Sequence, residues 1–296
     1  MSIEKAVIPV AGAGTRLLPA TKSQPKEMLP VGRKPVVQYV VEELVAQGLR
    51  KILFVTGRKK RSIEDHFDKD PDLVRMLTES GNTGLLEQLE YEKAEVSFFY
   101  VRQGLPLGLG HAIGCAQDFV GDESFVVALG DTIMQPTESP TLIHRLIQSH
   151  LSHRSDCTLA VCEVFEDEVS RYGIVRPKAE EADEFEAEAL VEKPAKGEVP
   201  SRYAIAARYV FNPNIFEAIR RTPPGMGGEV QITDAIGVLL RMGGKVRCLK
   251  LGPGERRYDI GNHQSYFRAF IDFALMDEEY GYTVRQYLQR KLRGLG

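Results

Sequence analysis

The chain contains no tryptophan and only four cysteines, Cys115, Cys157, Cys162 and Cys248, with no C-x-x-C pair among them. That spacing excludes a cysteine-built zinc site or a disulfide framework and points to a reduced, cytoplasmic protein. Cys157 and Cys162 fall in or beside an apolar run and read as small core residues. The six histidines have no metal-ligand spacing; His150 and His153 read as solvated side chains near a helix end. No apolar run approaches the ~20 residues a membrane helix needs. The first residues lead directly into an apolar segment, so no signal peptide is expected. A net charge of -3 gives no general attraction to nucleic acid or to a membrane surface. What remains, 43% hydrophobic and 27% charged residues over 296 positions, is ordinary globular composition with enough chain for a full core.

The most informative stretch is AVIPVAGAGTRLLPATKSQPKEMLP at residues 6–30. A short apolar run, long enough for a buried strand, breaks at Ala11-Gly12-Ala13-Gly14. Thr15, Arg16, Lys22, Lys26 and Glu27 follow in a loop punctuated by prolines. Glycines let a ligand approach the backbone, and exposed N–H groups in such a turn form an anion-binding concavity. Arg16 can grip phosphate oxygens through two N–H groups, while Lys26 acts as a point charge.

Helical spacing of valines predicts a helix over residues 34–47, and residues 51–56 read as a second buried strand. Strand, helix, strand at this spacing is a βαβ unit with a parallel sheet. Further strands are expected at 96–101 and 124–129, with one or two helices over 68–92 between the second and third. The third strand runs into a second glycine-rich turn from Gln103 through Gly108 to His111; the fourth ends at Gly130-Asp131. In open α/β sheets ligands bind beyond the carboxyl ends of the strands, so the glycine–cation loop, the glycine–glutamine loop and the aspartate converge on one crevice. Beyond it, residues 140–153 and 229–241 read as helices and 157–164, 203–211 and 245–251 as strands. A polar, acidic stretch at 177–188 reads as a solvated hairpin loop, 189–194 as a short strand, and 258–262 as a loop whose Asn262 caps the final helices. No linker divides the chain, which reads as a single domain.

A dinucleotide-binding fingerprint needs a third glycine where Leu17 stands and an acid after the second strand, where Thr56-Gly57-Arg58 is found. A P-loop needs Gly-Lys-Ser/Thr, which is absent. Nucleotidyl transfer suits the residues better: a phosphate oxygen attacks the α-phosphorus of a nucleoside triphosphate, and pyrophosphate leaves. That chemistry needs alignment, cations on the triphosphate and a metal between carboxylates and phosphates, with no covalent nucleophile. Asp131 and Asp259 suit such a metal.

The motifs Ala11-Gly12-Ala13-Gly14-Thr15-Arg16, Pro25-Lys26-Glu27-Met28-Leu29-Pro30, Gln103-Gly104 with Gly108-Leu109-Gly110-His111-Ala112, Tyr172-Gly173, Val191-Glu192-Lys193-Pro194 and Glu229-Val230-Gln231-Ile232-Thr233-Asp234 resemble the bacterial UTP–glucose-1-phosphate uridylyltransferases, in that family's order from Lys5 to about Phe273. The resemblance implies an α/β fold: a Rossmann-like, mostly parallel or mixed central sheet flanked by helices, with a smaller β-rich sugar-binding portion. Within one domain it implies a nucleotide-binding part over about 1–135, a sugar-binding and metal-completing part over about 136–276, and C-terminal helices over about 262–296. It implies Mg²⁺-dependent synthesis of UDP-glucose from UTP and glucose 1-phosphate by homodimers or homotetramers. Position by position, Ala11, Gly12, Gln103 and Gly108 resemble the uracil pocket, with Gly14, Thr15 and Glu27 also on the nucleotide. Arg16 and Lys26 resemble the triphosphate clamp, Asp131 the main Mg²⁺ ligand with Asp259 the second, and Gly173, Glu192 and Lys193 the sugar-phosphate side, Lys193 holding the attacking phosphate. Glu27 stands where the related thymidylyltransferases usually carry glutamine. Leu129-Gly130-Asp131-Thr132 lacks the second adjacent acid frequent in the family. The rival readings are thymidylyl transfer to glucose 1-phosphate, another sugar, and a non-catalytic regulatory paralogue that binds nucleotide sugar.

Overall fold

The computed structural model describes residues 3–89, 91, 95–135, 140–179, 183–195, 197 and 199–294. Its strands are β1 (Lys5–Pro9), β2 (Pro30–Val31), β3 (Lys34–Pro35), β4 (Lys51–Thr56), β5 (Ser97–Arg102), β6 (Phe125–Ala128), β7 (Thr132–Gln135), β8 (Cys157–Glu163), β9 (Gly173–Pro177), β10 (Glu184–Glu192), β11 (Tyr203–Phe211), β12 (Val246–Lys250) and β13 (Arg256–Asp259). The helices are α1 (Val36–Ala46), α2 (Arg61–Phe67), α3 (Pro71–Glu79), α4 (Thr83–Glu87), α5 (Leu109–Gly114), α6 (Gln117–Val120), α7 (Leu142–His153), α8 (Asn214–Arg221), α9 (Ile232–Arg241), α10 (His263–Met276) and α11 (Gly281–Arg293).

Among the described residues, nine strands form one mixed sheet in the order β5-β4-β1-β6-β11-β8-β12-β10-β9. The first four run parallel; β11 is antiparallel to both β6 and β8. The strands of the parallel half are continuous apolar runs because helices cover both faces. Successive residues feed opposite cores: Val7 packs with Leu53, Val127 and helices α8 and α9, while Ala6 and Ile8 pack with Phe54 and helices α1 and α7. The smaller β-rich portion is the far end of this same sheet, from β11 to β9.

Four expectations are corrected. The acidic stretch at 177–188 is not a loop throughout: β10 begins at Glu184, with Phe185 and Ala187 buried and Glu184 and Glu186 facing Arg247 and Lys178. Acidic residues obscured a two-residue alternation; the tip at 180–182 lies outside the described residues. Second, the segment after Asp131 continues as β7, which pairs antiparallel with β13, so part of the 258–262 segment is strand. Third, His150 is 3% exposed, its ring nitrogens facing Thr158 and Ser124. Finally, α9 starts at Ile232, three residues after the expected start at Glu229, leaving 229–231 as a loop. Asn262 does cap α10, in a reciprocal capping box with Ser265. A small cluster of Leu17, Leu29, Val31, Ile133, Ile260 and Ala269 ties the opening loop to β7, β13 and α10.

Candidate active site

The carboxyl ends of β1, β5 and β6 open into one crevice of about 530 Å³. Ala11, Gly12, Gly14, Thr15, Arg16, Lys26, Glu27, Gln103, Gly108, Asp131 and Lys193 all line it. Gly173, Glu192 and Asp259 are not in that lining.

Arg16 sits on a short turn, Thr15–Leu17, that follows Gly14. Lys26 opens another turn and donates to the Asp131 carboxylate. Burial depresses the Lys26 ammonium, but Asp131 and Glu27 outweigh it and hold its pKa above the ordinary value. Burial pushes the Asp131 carboxyl up, yet Lys26 prevails and keeps it below the ordinary range. Glu27, only 1% exposed, closes a buried ion pair with Lys60 at 2.7 Å. The carboxylate of Glu27, one residue along from Lys26, is therefore already engaged by Lys60.

Asp259 reaches the centre through the β7–β13 ladder. It lies opposite Thr132, and the Ile260 N–H donates to the Asp131 carbonyl at 2.9 Å. Burial and the neighbouring Asp131 charge raise its pKa. At Gly261 a Cβ would lie 2.9 Å from Asp259 Oδ1 and 3.2 Å from Arg16 Nη2, so any larger residue would crowd the acid and the cation apart. Arg257, two residues before Asp259, donates to the Ile205 carbonyl and stacks over Tyr172.

The Gln103 backbone continues the β4–β5 pairing, its N–H donating to the Thr56 carbonyl. Its side-chain Nε2 lies 3.1 Å from the Gly108 carbonyl and 2.9 Å from His111 Nδ1. Gly108 has φ +98°, and a Cβ there would lie 2.6 Å from the Val230 carbonyl, so glycine is required. Val230 in turn exchanges backbone hydrogen bonds with Leu107 and Gly110.

On the opposite wall Lys193 has φ +45°, is 47% exposed, and lies 3.0 Å from Glu192 Oε1. Glu192 Oε2 accepts from Thr233 at 2.7 Å. A Cβ on Gly173 would lie 2.5 Å from the Thr233 hydroxyl, which explains glycine there. Residues without an assigned role in the sequence reading also line the crevice: Ala13, Pro106, Leu109, Glu229, Gln231 and Gly261. The Glu229–Asp234 motif was the available signal for two of them. The buried Lys60 and the half-buried Arg257 gave none, because surface basic residues look the same in a sequence.

Strand-end glycines, a cation–carboxylate cluster and a facing lysine are what a nucleotidyl transferase needs, and the chain belongs to the nucleotidyl transferase family, whose model matches residues 5–274. Relatives of this chain include UTP–glucose-1-phosphate uridylyltransferases. The protein of that name from Bacillus subtilis (strain 168) is 44% identical over 277 residues, 94% of this chain and 93% of that one. A UTP-bound UGPase from Acinetobacter baumannii superposes with a TM-score of 0.88 at 34% identity, over 97% of this chain and 99% of that chain. A UDP-glucose pyrophosphorylase complexed with UDP-glucose does so with a TM-score of 0.84 at 34% identity, over 93% and 100%.

Proposed function

We propose that this chain transfers UMP from UTP to glucose 1-phosphate, giving UDP-glucose and pyrophosphate. The observation that carries the reading is the single crevice in which Arg16, Lys26 and Asp131 face Lys193 across the strand ends. In this reading the backbone of Ala11 and Gly12, with Gln103 and Gly108, takes the uracil. Gly14, Thr15, Arg16 and Lys26 take the triphosphate, and Glu27 with Lys60 fixes the position of Lys26. Lys193 holds the attacking phosphate; Glu192, beside Gly173 and Thr233, accepts from sugar hydroxyls. An oxygen of glucose 1-phosphate attacks the α-phosphorus as the bond to pyrophosphate breaks, with no covalent enzyme intermediate. Alignment and fixed positive charge carry such a reaction.

The donor set suits Mg²⁺, which takes few carboxylates and completes its shell with water and substrate oxygens. Asp131 and Asp259 would hold it: two half-buried acids, the charge of one raising the pKa of the other, relieved by a cation between them. Bound there, the ion would neutralise charge on the phosphate oxygens. Among the described residues no group of three or more His, Cys, Asp or Glu side chains could hold a metal alone, in keeping with an ion shared with substrate. We also assign the chain as one domain, with the nucleotide part over about 1–135 and the sugar part over about 136–276, acting in the cytoplasm as a homodimer or homotetramer. No helix among the described residues is long and apolar enough to cross a membrane.

The test is pyrophosphate release with UTP, dTTP, CTP and ATP against glucose 1-phosphate, with and without Mg²⁺. Metal-dependent preference for UTP is expected. Preference for dTTP moves the chain to thymidylyl transfer; no release with any nucleotide favours a regulatory binder.

A further inference from the structure

The amide of Gln103 is held in a way that leaves it one free function. A backbone carbonyl only accepts, so the group facing the Gly108 oxygen is the NH₂ and not the Oε1. The same nitrogen lies 2.9 Å from His111 Nδ1. With the NH₂ there, Nδ1 must accept, which places the imidazole proton on Nε2. Both amide protons are thereby used inside the wall. Among the described residues nothing donates to Gln103 Oε1, and Gln103 lines the crevice. The surroundings cannot easily turn: Gly108 is pinned against Val230, whose carbonyl accepts from Gly110, and His111 belongs to α5, which packs on that loop.

We propose that His111 is a specificity-determining residue: by accepting from the Gln103 amide it fixes Oε1 as the acceptor presented to the base, selecting a pyrimidine that carries an N3–H. Uracil and thymine offer that donor; cytosine presents an unprotonated N3 to the same atom and is refused. His111 acts through Gln103 and positions it. The inference rests on the uridylyl reading above and adds to it the atom that separates UTP from CTP. The device is blind to the C5 methyl group, so it does not separate UTP from dTTP.

The experiment compares kcat/KM for UTP, CTP and dTTP in the wild-type enzyme and in His111→Asn, His111→Leu and His111→Lys. Asparagine offers Oδ1 where Nδ1 stands and keeps the acceptor; leucine removes it; lysine replaces it with a donor. The UTP:CTP ratio is expected to stay near wild type in His111→Asn. It should fall about tenfold or more in His111→Leu, the value of roughly one oriented hydrogen bond, and further in His111→Lys. The UTP:dTTP ratio should not move in any of them, which a general loosening of the pocket would not respect. If His111→Leu and His111→Lys discriminate against CTP as strongly as wild type, His111 has no such role; should His111→Lys not fold, His111→Leu decides alone. A wild-type enzyme silent with every nucleotide instead defeats the underlying reading.

Discussion

The two walls of the crevice are built differently. On the nucleotide side three pairs of charged and polar side chains are already bonded, Lys26 to Asp131, Lys60 to Glu27 and Gln103 to His111, beside an exposed Arg16. Glu27, Lys60 and Gln103 are buried, and Lys26, Asp131 and His111 are half-buried. On the sugar side Lys193 is half exposed and, among the described residues, pairs with its neighbour Glu192. The first wall is a preorganised cradle in which burial strengthens each charge interaction. The second presents a long cationic side chain to solvent, free to meet a phosphate that arrives with the acceptor. A site that takes one polyanion and then a second is well served by that division, since fixed charge costs nothing to reorganise at the moment of reaction.

The largest effect expected is at the join of the two. Asp131→Asn removes both the partner of Lys26 and the first carboxylate of the proposed metal pair. Turnover should fall by about 10³ or more and its Mg²⁺ dependence should vanish; an Mg²⁺ titration of pyrophosphate release that matches wild type would defeat the assignment. Next comes the brace behind the nucleotide wall. Lys60→Met leaves Glu27 buried and unpaired, and should cost about 3–5 kcal/mol of stability, most of it recovered in Lys60→Met with Glu27→Gln. Denaturant unfolding checks both, and equal stability of the single and double variants would show that the pair is not coupled.

Lys193→Ala sharpens the contrast from the other side. Transfer should drop by ~10² while UTP affinity is retained, because the attacking phosphate alone loses its anchor. Calorimetric titration with UTP beside turnover distinguishes this from a nucleotide contact. The smallest effect lies on α7, which packs against the sheet that carries both walls. Burial pushes the His150 pKa down to about 4, from an ordinary value of 6.5. The unfolded chain therefore takes up a proton that the folded protein refuses. This costs nothing well above pH 6.5 and grows as pH falls toward 4, reaching about 2 kcal/mol at pH 5. His150→Gln should flatten that part of the stability–pH curve; an unchanged slope between pH 6.5 and 5 would exclude His150 as its source.

Much of the nucleotide wall was legible because its signals are local. A strand reads as an apolar run, a phosphate loop as glycines beside Thr15 and Arg16, and the parallel half as alternating strands and helices. The strand β11, buried along its whole length, was equally plain. What was not legible depended on partners distant in the chain. His150 sits among polar residues of its own helix and is buried only because Ser124 and Thr158 come to it. The first residues of β10 are charged, and become strand because Arg247 and Lys178 neutralise them. Lys60 is one basic residue in a run of several, until Glu27 selects it.

The sequence by itself determined the chemistry available: which loops carry glycine, and which cations and acids stand at strand ends; of the fourteen site residues named from it, eleven line one crevice. Only the tertiary structure decided how those groups are used. The short β7–β13 ladder sets Asp259, 128 residues downstream of Asp131, opposite Thr132. The packing of residues 107–110 on Val230 turns one amide so that its oxygen is left to face the crevice. Residue type fixes what a side chain can donate, accept or bear as charge. Which of these capacities remains free is settled by the neighbours that folding supplies.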